Sequence, residues 1–179
     1  MPPSRARRRR PSATHPIPAR QRELNTKRRG ELSELAFVYK AASLGFGVAK
    51  PYGDSERFDF ILISRGWPEG DKLWRVQVKS TATLRDGFYH INAYRRATGH
   101  VLPYKPSEVD FLIAHIIPED SWYIFPIADI AGRTSLSFRP RKSRRKGMYE
   151  AYFDTWHRLR PPKPLQLRHP ERNRSSQKR

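Results

Sequence analysis

The chain contains no cysteine. That excludes a disulfide scaffold, a thiolate zinc site, an iron–sulfur cluster and a cysteine nucleophile. Acid is scarce as well: 17 Asp and Glu stand against 36 Lys and Arg, a formal net charge of +19 over 179 residues. Long apolar runs are missing. The longest, residues 111–117, is interrupted by His115 and falls far short of the ~20 residues that span a membrane. The Arg-rich N-terminus lacks the apolar stretch of a signal peptide. No GxxxxGK[ST] loop occurs, which argues against ATP hydrolysis. The histidines at 15, 90, 100, 115, 157 and 169 form no HxxxH or HNH-like group, which argues against a histidine-metal nuclease. What is abundant is positive charge, so a polyanionic partner is the first expectation.

The charge is unevenly placed. Residues 1–29 carry ten basic residues, Arg7 to Arg10 among them, against Glu23 alone, and residues 158–179 carry eight against Glu171. Both ends are rich in Pro, Arg and Ser and poor in large apolar residues. They cannot bury enough surface to offset the chain entropy of folding. The expected organisation is a disordered basic arm over 1–29, one folded domain over 30–157 and a disordered basic tail over 158–179. Such arms bind phosphate backbones by releasing counterions, without reading bases. A further basic run sits inside the domain: Arg139, Arg141, Lys142, Arg144, Arg145 and Lys146.

Within 30–157 the periodicities define elements. Leu32, Leu35, Ala36, Tyr39 and Ala42 recur at helical spacing, and Gly45 is a stop signal. Residues 48–50 read as extended and 51–54 as a turn, followed by strands over 57–63 and 73–82. In the second strand Arg75, Gln77 and Lys79 alternate with Trp74, Val76 and Val78, so each set shares a face. Further strands are expected over 87–94, 109–117 and 121–127, a helical turn over 127–132, a short strand over 135–138 and an amphipathic helix over 148–160. This order indicates an α/β domain built on one mixed sheet flanked by helices.

Four residues in the first half carry a distinct chemistry: Glu34 on the helix, Asp59 on the next strand, and Gln77 and Lys79 two apart on the strand after. Asp59 lies between Phe58 and Phe60, and a carboxylate buried there is costly unless it is paired or bound to metal. Hard oxygen ligands hold Mg²⁺, and a bound divalent ion polarises phosphate and acidifies water. A lysine beside it can offset the charge that grows on a phosphoryl group. Ser80 and Thr81, directly after Lys79, are placed to donate hydrogen bonds to phosphate. Each residue also has an ordinary alternative: a solvated helix glutamate, an aspartate paired with Arg57, Arg75 or Lys79, a surface lysine. Glu31 and Asp54 are weaker candidates for the same site.

The run GELSE, then PYGDSERFDF, then WRVQVKS resembles the PD-(D/E)XK nuclease superfamily, and within it the group I intron-associated homing endonuclease branch. The resemblance covers residues 30–83 at motif level. Phe58 stands where the named motif has proline. Gln77 stands where an acid is usual, as in the QxK form of that branch. The resemblance implies a restriction-endonuclease-like core and a Mg²⁺- or Mn²⁺-dependent endonuclease acting on double-stranded DNA. Its catalytic group would be Glu34, Asp59, Gln77 and Lys79, and its metal ligands Glu34, Asp59, Gln77 and the Val78 main chain. Contacts to nucleic acid are expected from Ser80, Thr81, Arg95, Arg96, Arg141, Lys142, Arg144 and Arg145. A homodimer through 84–140 and a cytoplasmic, nucleoid-associated setting belong to the same expectation. A non-catalytic nucleic-acid-binding protein that keeps the fold is the alternative, and Gln77 keeps it open. A basic structural RNA-binding protein would account for the tails but not for the four-residue arrangement.

Overall fold

The computed structural model describes residues 19–161 apart from 54, with side chains from 27 onward. The chain opens with helix α1 (Ala19–Ser43), followed by β1 (Gly47–Ala49), β2 (Phe60–Ser64) and β3 (Lys72–Thr81). Next come β4 (Leu84–Arg85), β5 (Phe88–Asn92), β6 (Tyr94–Ala97) and β7 (His100–Pro103). The chain then forms β8 (Phe111–Ile116), β9 (Ser121–Pro126) and β10 (Ser135–Phe138). Strands β1-β2-β3-β8-β9 form the main sheet, in that order. It is mixed, because β3 and β8 run parallel while every other pair is antiparallel.

The helix ends for a local reason. Gly45 takes φ +83, a left-handed conformation that costs glycine little. Its N–H donates to the Ala42 carbonyl at 2.8 Å, and that of Phe46 donates to Ala41 at 3.0 Å. This pair of hydrogen bonds is the Schellman arrangement, completed here by the buried Phe46 ring. α1 also begins earlier than expected, since residues 19–29, read from composition as arm, belong to it. At the other end Leu159 is fully buried, so the folded part runs past 157. The remainder of both expected tails lies outside the described residues.

The two faces of the main sheet build two cores. On one face α1 lays Phe37 and Ala41 over Phe60, Leu62, Val76, Val78, Ile113 and Ile124. The other face carries Leu112, Ala114, Ile116, Tyr123 and Phe125, roofed by Tyr89, Ile91, Leu136 and Phe138. Those roofing residues come from a separate three-stranded sheet of order β10-β5-β4, and β6 and β7 form a two-stranded ribbon. The expected mixed sheet is present, and among the described residues two smaller antiparallel sheets accompany it. The expected strand over 87–94 is divided because Ala93 lies in neither partner, its N–H donating to Thr134 at 2.9 Å.

Two further expectations are corrected. Leu32, Leu35 and Tyr39, read as the core stripe of the helix, are 51, 65 and 78% exposed. The buried stripe is Ser33, Phe37 and Ala41 instead. The amphipathic helix expected over 148–160 is absent: two short 3-10 turns, Glu150–Tyr152 and Trp156–Leu159, take its place. Between them Asp154 has φ 51, which a continuous helix does not allow. The segment serves the sheet edge, with Phe153 bridging to Tyr123 and the Asp154 N–H donating to the Trp122 carbonyl at 2.8 Å. No helix among the described residues is long and apolar enough to cross a membrane.

The burial pattern yields a paired prediction. Leu62→Ala should cost about 2–5 kcal/mol in urea unfolding, as expected for a fully buried aliphatic side chain. Leu35→Ala should stay within about 0.5 kcal/mol of wild type, because its side chain already meets water.

Candidate active site

The cleft is built where β2 meets β3. The register sets Phe60 opposite Val76, so the preceding residue, Asp59, falls opposite Gln77. Its N–H donates to the Val76 carbonyl at 2.9 Å, extending the ladder by one residue beyond β2. Its carboxylate then reaches across to β3. Oδ2 accepts the Val78 N–H at 2.8 Å and the Gln77 Nε2–H at 2.5 Å. None of the ordinary partners considered for Asp59 takes it in an ion pair. Arg75 is committed to Asp110, with its guanidinium 2.8 Å from Oδ1 and its N–H donating to Oδ2 at 2.7 Å.

Glu34 faces the same cleft from α1, and its Oε2 accepts from Lys50 Nζ at 2.8 Å. Lys79 lies on the shared wall between this cleft and a second one, with Nζ 5.9 Å from the centre of the Tyr104 ring. The main cleft encloses about 540 Å³, and Glu34, Asp59, Gln77, Val78, Lys79, Ser80 and Thr81 all line it. Those expected residues are therefore brought together.

The basic residues expected to bind nucleic acid separate into groups. Arg96 is exposed, 5.8 Å from the Tyr94 ring, on the wall of the second cleft. Arg95 reaches the same wall but is tied to Glu108 at 2.9 Å, with both side chains at most 20% exposed. Arg141 is held by Glu150 at 2.6 Å and stacks over Phe153 at 3.8 Å, which gives it a structural post away from the cleft. Lys142, Arg144 and Arg145 are exposed on the turn after β10 and line neither cleft. Glu31 is exposed and paired with Arg28 at 3.6 Å, and Asp54 lies outside the described residues.

The sequence reading missed Ser33, Arg85, His90 and Asn92, which also line the main cleft. A signal existed for two of them. In β5 Tyr89 and Ile91 are buried, so His90 and Asn92 must share the opposite face. Nothing local marks Ser33, whose partner, His115, is 82 residues away.

The electrostatics at Asp59 are set first by burial. Burial raises the Asp59 pKa above the ordinary carboxylate value, and the nearby Glu34 charge pushes the same way. The Val78 N–H, Lys79 and Gln77 oppose this without cancelling it. Burial likewise pushes the Tyr104 phenol up, with the Asp59 charge contributing. The donor atoms available are carboxylate oxygens of Glu34 and Asp59, the Gln77 carbonyl and the Val78 main-chain oxygen, a hard set that suits Mg²⁺ or Mn²⁺. Because Gln77 spends its NH₂ on Asp59, its carbonyl is the end that could serve an ion. Among the described residues no three or more His, Asp or Glu gather into one metal-holding group, so this site has two acids and an amide.

A model of the PD-(D/E)XK endonuclease family matches residues 24–159. The chain belongs to that family, and its fold is of the restriction-endonuclease-like class. Among solved structures it is similar to the bacterial homing endonuclease I-Ssp6803I, with 28% identity and a TM-score of 0.64. That match covers 75% of this chain and 92% of the other. No curated protein sequence matches.

The raised Asp59 pKa has a stability consequence with a definite sign. The folded state binds the Asp59 proton more tightly than the unfolded state does. Stability is therefore lost as pH rises from the ordinary carboxylate range through the folded pKa. In EDTA at neutral pH, Asp59→Asn should melt above wild type, and its melting temperature should lack this part of the fall with pH. Thermal unfolding of the two proteins between about pH 4 and 8 checks it.

Proposed function

We propose that the protein is a divalent-metal-dependent DNA endonuclease that hydrolyses phosphodiester bonds in the manner of homing endonucleases. The observation that carries the reading is the register of β2 on β3. It delivers Asp59, Gln77 and Lys79 to one cleft already faced by Glu34. In this reading Glu34 and Asp59 hold the cation, helped by the Gln77 carbonyl and the Val78 main-chain oxygen. When bound, Mg²⁺ or Mn²⁺ supplies a charge for the phosphate and acidity for a water molecule. Gln77 has a second task, since its amide N–H fixes the direction of the Asp59 carboxylate. Lys79 offsets the negative charge that develops on the phosphoryl oxygens, and Ser80 and Thr81 orient them by hydrogen bonds. Exposed basic residues, with the charged termini, supply affinity for the backbone without sequence preference.

The same reading includes a cytoplasmic, nucleoid-associated setting and a homodimer. One cleft of this kind attacks one strand, so cutting both in one encounter takes two copies. A second reading, a non-catalytic nucleic-acid-binding protein, draws on the Gln77 amide where a third acid would strengthen the cation site.

Supercoiled plasmid incubated with the full chain separates the two. The expected result is nicking or linearisation in Mg²⁺ and none in EDTA; retention without cleavage in Mg²⁺ and in Mn²⁺ would establish the binding protein. Asp59→Ala should abolish cleavage while leaving plasmid binding largely intact. Lys79→Ala should lower kcat about 10²–10³-fold, in line with loss of one group that stabilises developing charge. Removing residues 1–18 should weaken binding to all DNA sequences alike and make its salt dependence shallower, which binding isotherms at several salt concentrations report.

A further inference from the structure

Behind the cleft wall, polar groups from three parts of the chain line up. Ser33 Oγ on α1 lies 3.0 Å from Nδ1 of His115 on β8. His115 Nε2 lies 3.3 Å from Oδ1 of Asp120, in the turn between β8 and β9. Ser33 and His115 are buried, at 3% and 5% exposure. The imidazole lies flat against Trp122, ring centres 3.8 Å apart and planes 7° from parallel. The Trp122 indole N–H donates to the same Asp120 oxygen at 3.0 Å. Both ring nitrogens are thus engaged, and the ring cannot turn without losing the stack and both hydrogen bonds.

Chemistry fixes the direction of the chain. The Asp120 carboxylate only accepts, so Nε2 carries the proton. Burial lowers the His115 pKa despite the opposing pull of Asp120, which favours the neutral ring at neutral pH. Nδ1 of that neutral ring is an acceptor, so the Ser33 hydroxyl must donate to it. Ser33 is therefore a directional anchor on the inner face of the helix. Its neighbours there, Phe37 and Ala41, pack through apolar contacts that have no preferred direction. Ser33 immediately precedes Glu34, and both line the cleft. A small roll of α1 about its axis would carry Glu34 away from Asp59 while leaving most apolar burial intact.

We propose that His115 is a positioning residue: through Ser33 it fixes the roll of α1, so that Glu34 and Asp59 meet the same cation. This rests on the metal-dependent reading given above and adds to it a source of precision outside the ligand set. Partners that orient metal ligands commonly contribute about 10–100-fold to affinity.

The test measures Mn²⁺ binding to the full-length protein by electron paramagnetic resonance of the free ion, with Asp59→Ala as control. Ser33→Ala and His115→Phe should each raise the Mn²⁺ dissociation constant about tenfold. Cleavage should recover at saturating Mn²⁺, so the metal requirement moves and kcat does not. In a Glu34→Ala background neither change should weaken Mn²⁺ binding further, because both act through Glu34. Ser33→Ala removes only a hydroxyl and keeps the test decisive if His115→Phe does not fold. The proposal is overturned if Asp59→Ala loses Mn²⁺ while Ser33→Ala binds it as wild type does, or if the losses are equal in both backgrounds. If Asp59→Ala itself binds Mn²⁺ normally, the metal reading has failed, and this inference falls with it.

Discussion

The parallel pairing of β3 with β8 is the constraint on which the rest of the molecule depends. It runs from Val76 opposite Phe111 to Thr81 opposite Ile116 and places the strand that carries Gln77 and Lys79 at the centre of the main sheet. A latch marks its start. Arg75 donates through backbone and side chain to the Asp110 carboxylate, while the Asp110 N–H donates back to the Arg75 carbonyl at 2.9 Å. The guanidinium also reaches the carbonyls of Pro106 and Ser107. The register held there is strict in its effect. A slip of one residue would turn the Val76 and Val78 side chains out of the helix-side core and those of Gln77 and Lys79 into it. An ion pair outside the cleft lining thus marks the start of the register that delivers those side chains.

The placement of charge follows a division of labour. A strongly basic chain buries the Asp59 carboxylate, which raises its proton affinity, and sets Glu34 near enough to add to that rise. Outside the main cleft basic side chains are drawn off into pairs of their own: Arg75 with Asp110, Arg95 with Glu108, Arg141 with Glu150. Pairing of this kind turns cations that composition alone assigns to a polyanion into parts of the scaffold. Lys79 occupies a different niche, beside an aromatic ring and open to both clefts.

The fold class was legible in the sequence, and so was the gathering of the candidate site residues in one cleft. Gln77 and Lys79 lie on β3 and Asp59 one residue before β2, so alternation and strand order suffice to bring them together. The strand over 135–138 and the helical turn after Pro126 were equally plain, being bounded by turn residues. The orientation of α1 was not. That helix has two stripes at helical spacing, Leu32–Leu35–Tyr39 and Ser33–Phe37–Ala41, and hydrophobicity favours the wrong one. What turns Ser33 inward is His115, a partner that no local pattern reveals. The C-terminal segment misleads in a similar way. Tyr149, Tyr152, Phe153 and Trp156 have helical spacing, yet they satisfy a sheet edge and an aromatic cluster rather than a helix face.

That segment has a further consequence, for self-association. An edge strand with unpaired backbone groups is a template for adding strands from other molecules. Here β9 is an edge of the main sheet and is apolar on both faces, with Trp122, Tyr123, Ile124 and Phe125 all buried. The Phe153 bridge and the Asp154 N–H occupy part of its outer rim, and Trp156 closes over the helix-side core. At the opposite rim β1 is only three residues long, too short to recruit a partner strand effectively. Removing the chain from Phe153 onward would uncover a rim whose neighbouring side chains favour β-pairing. The C-terminal segment thus covers part of a rim otherwise open to β-pairing, which is separate from the charge that the termini carry.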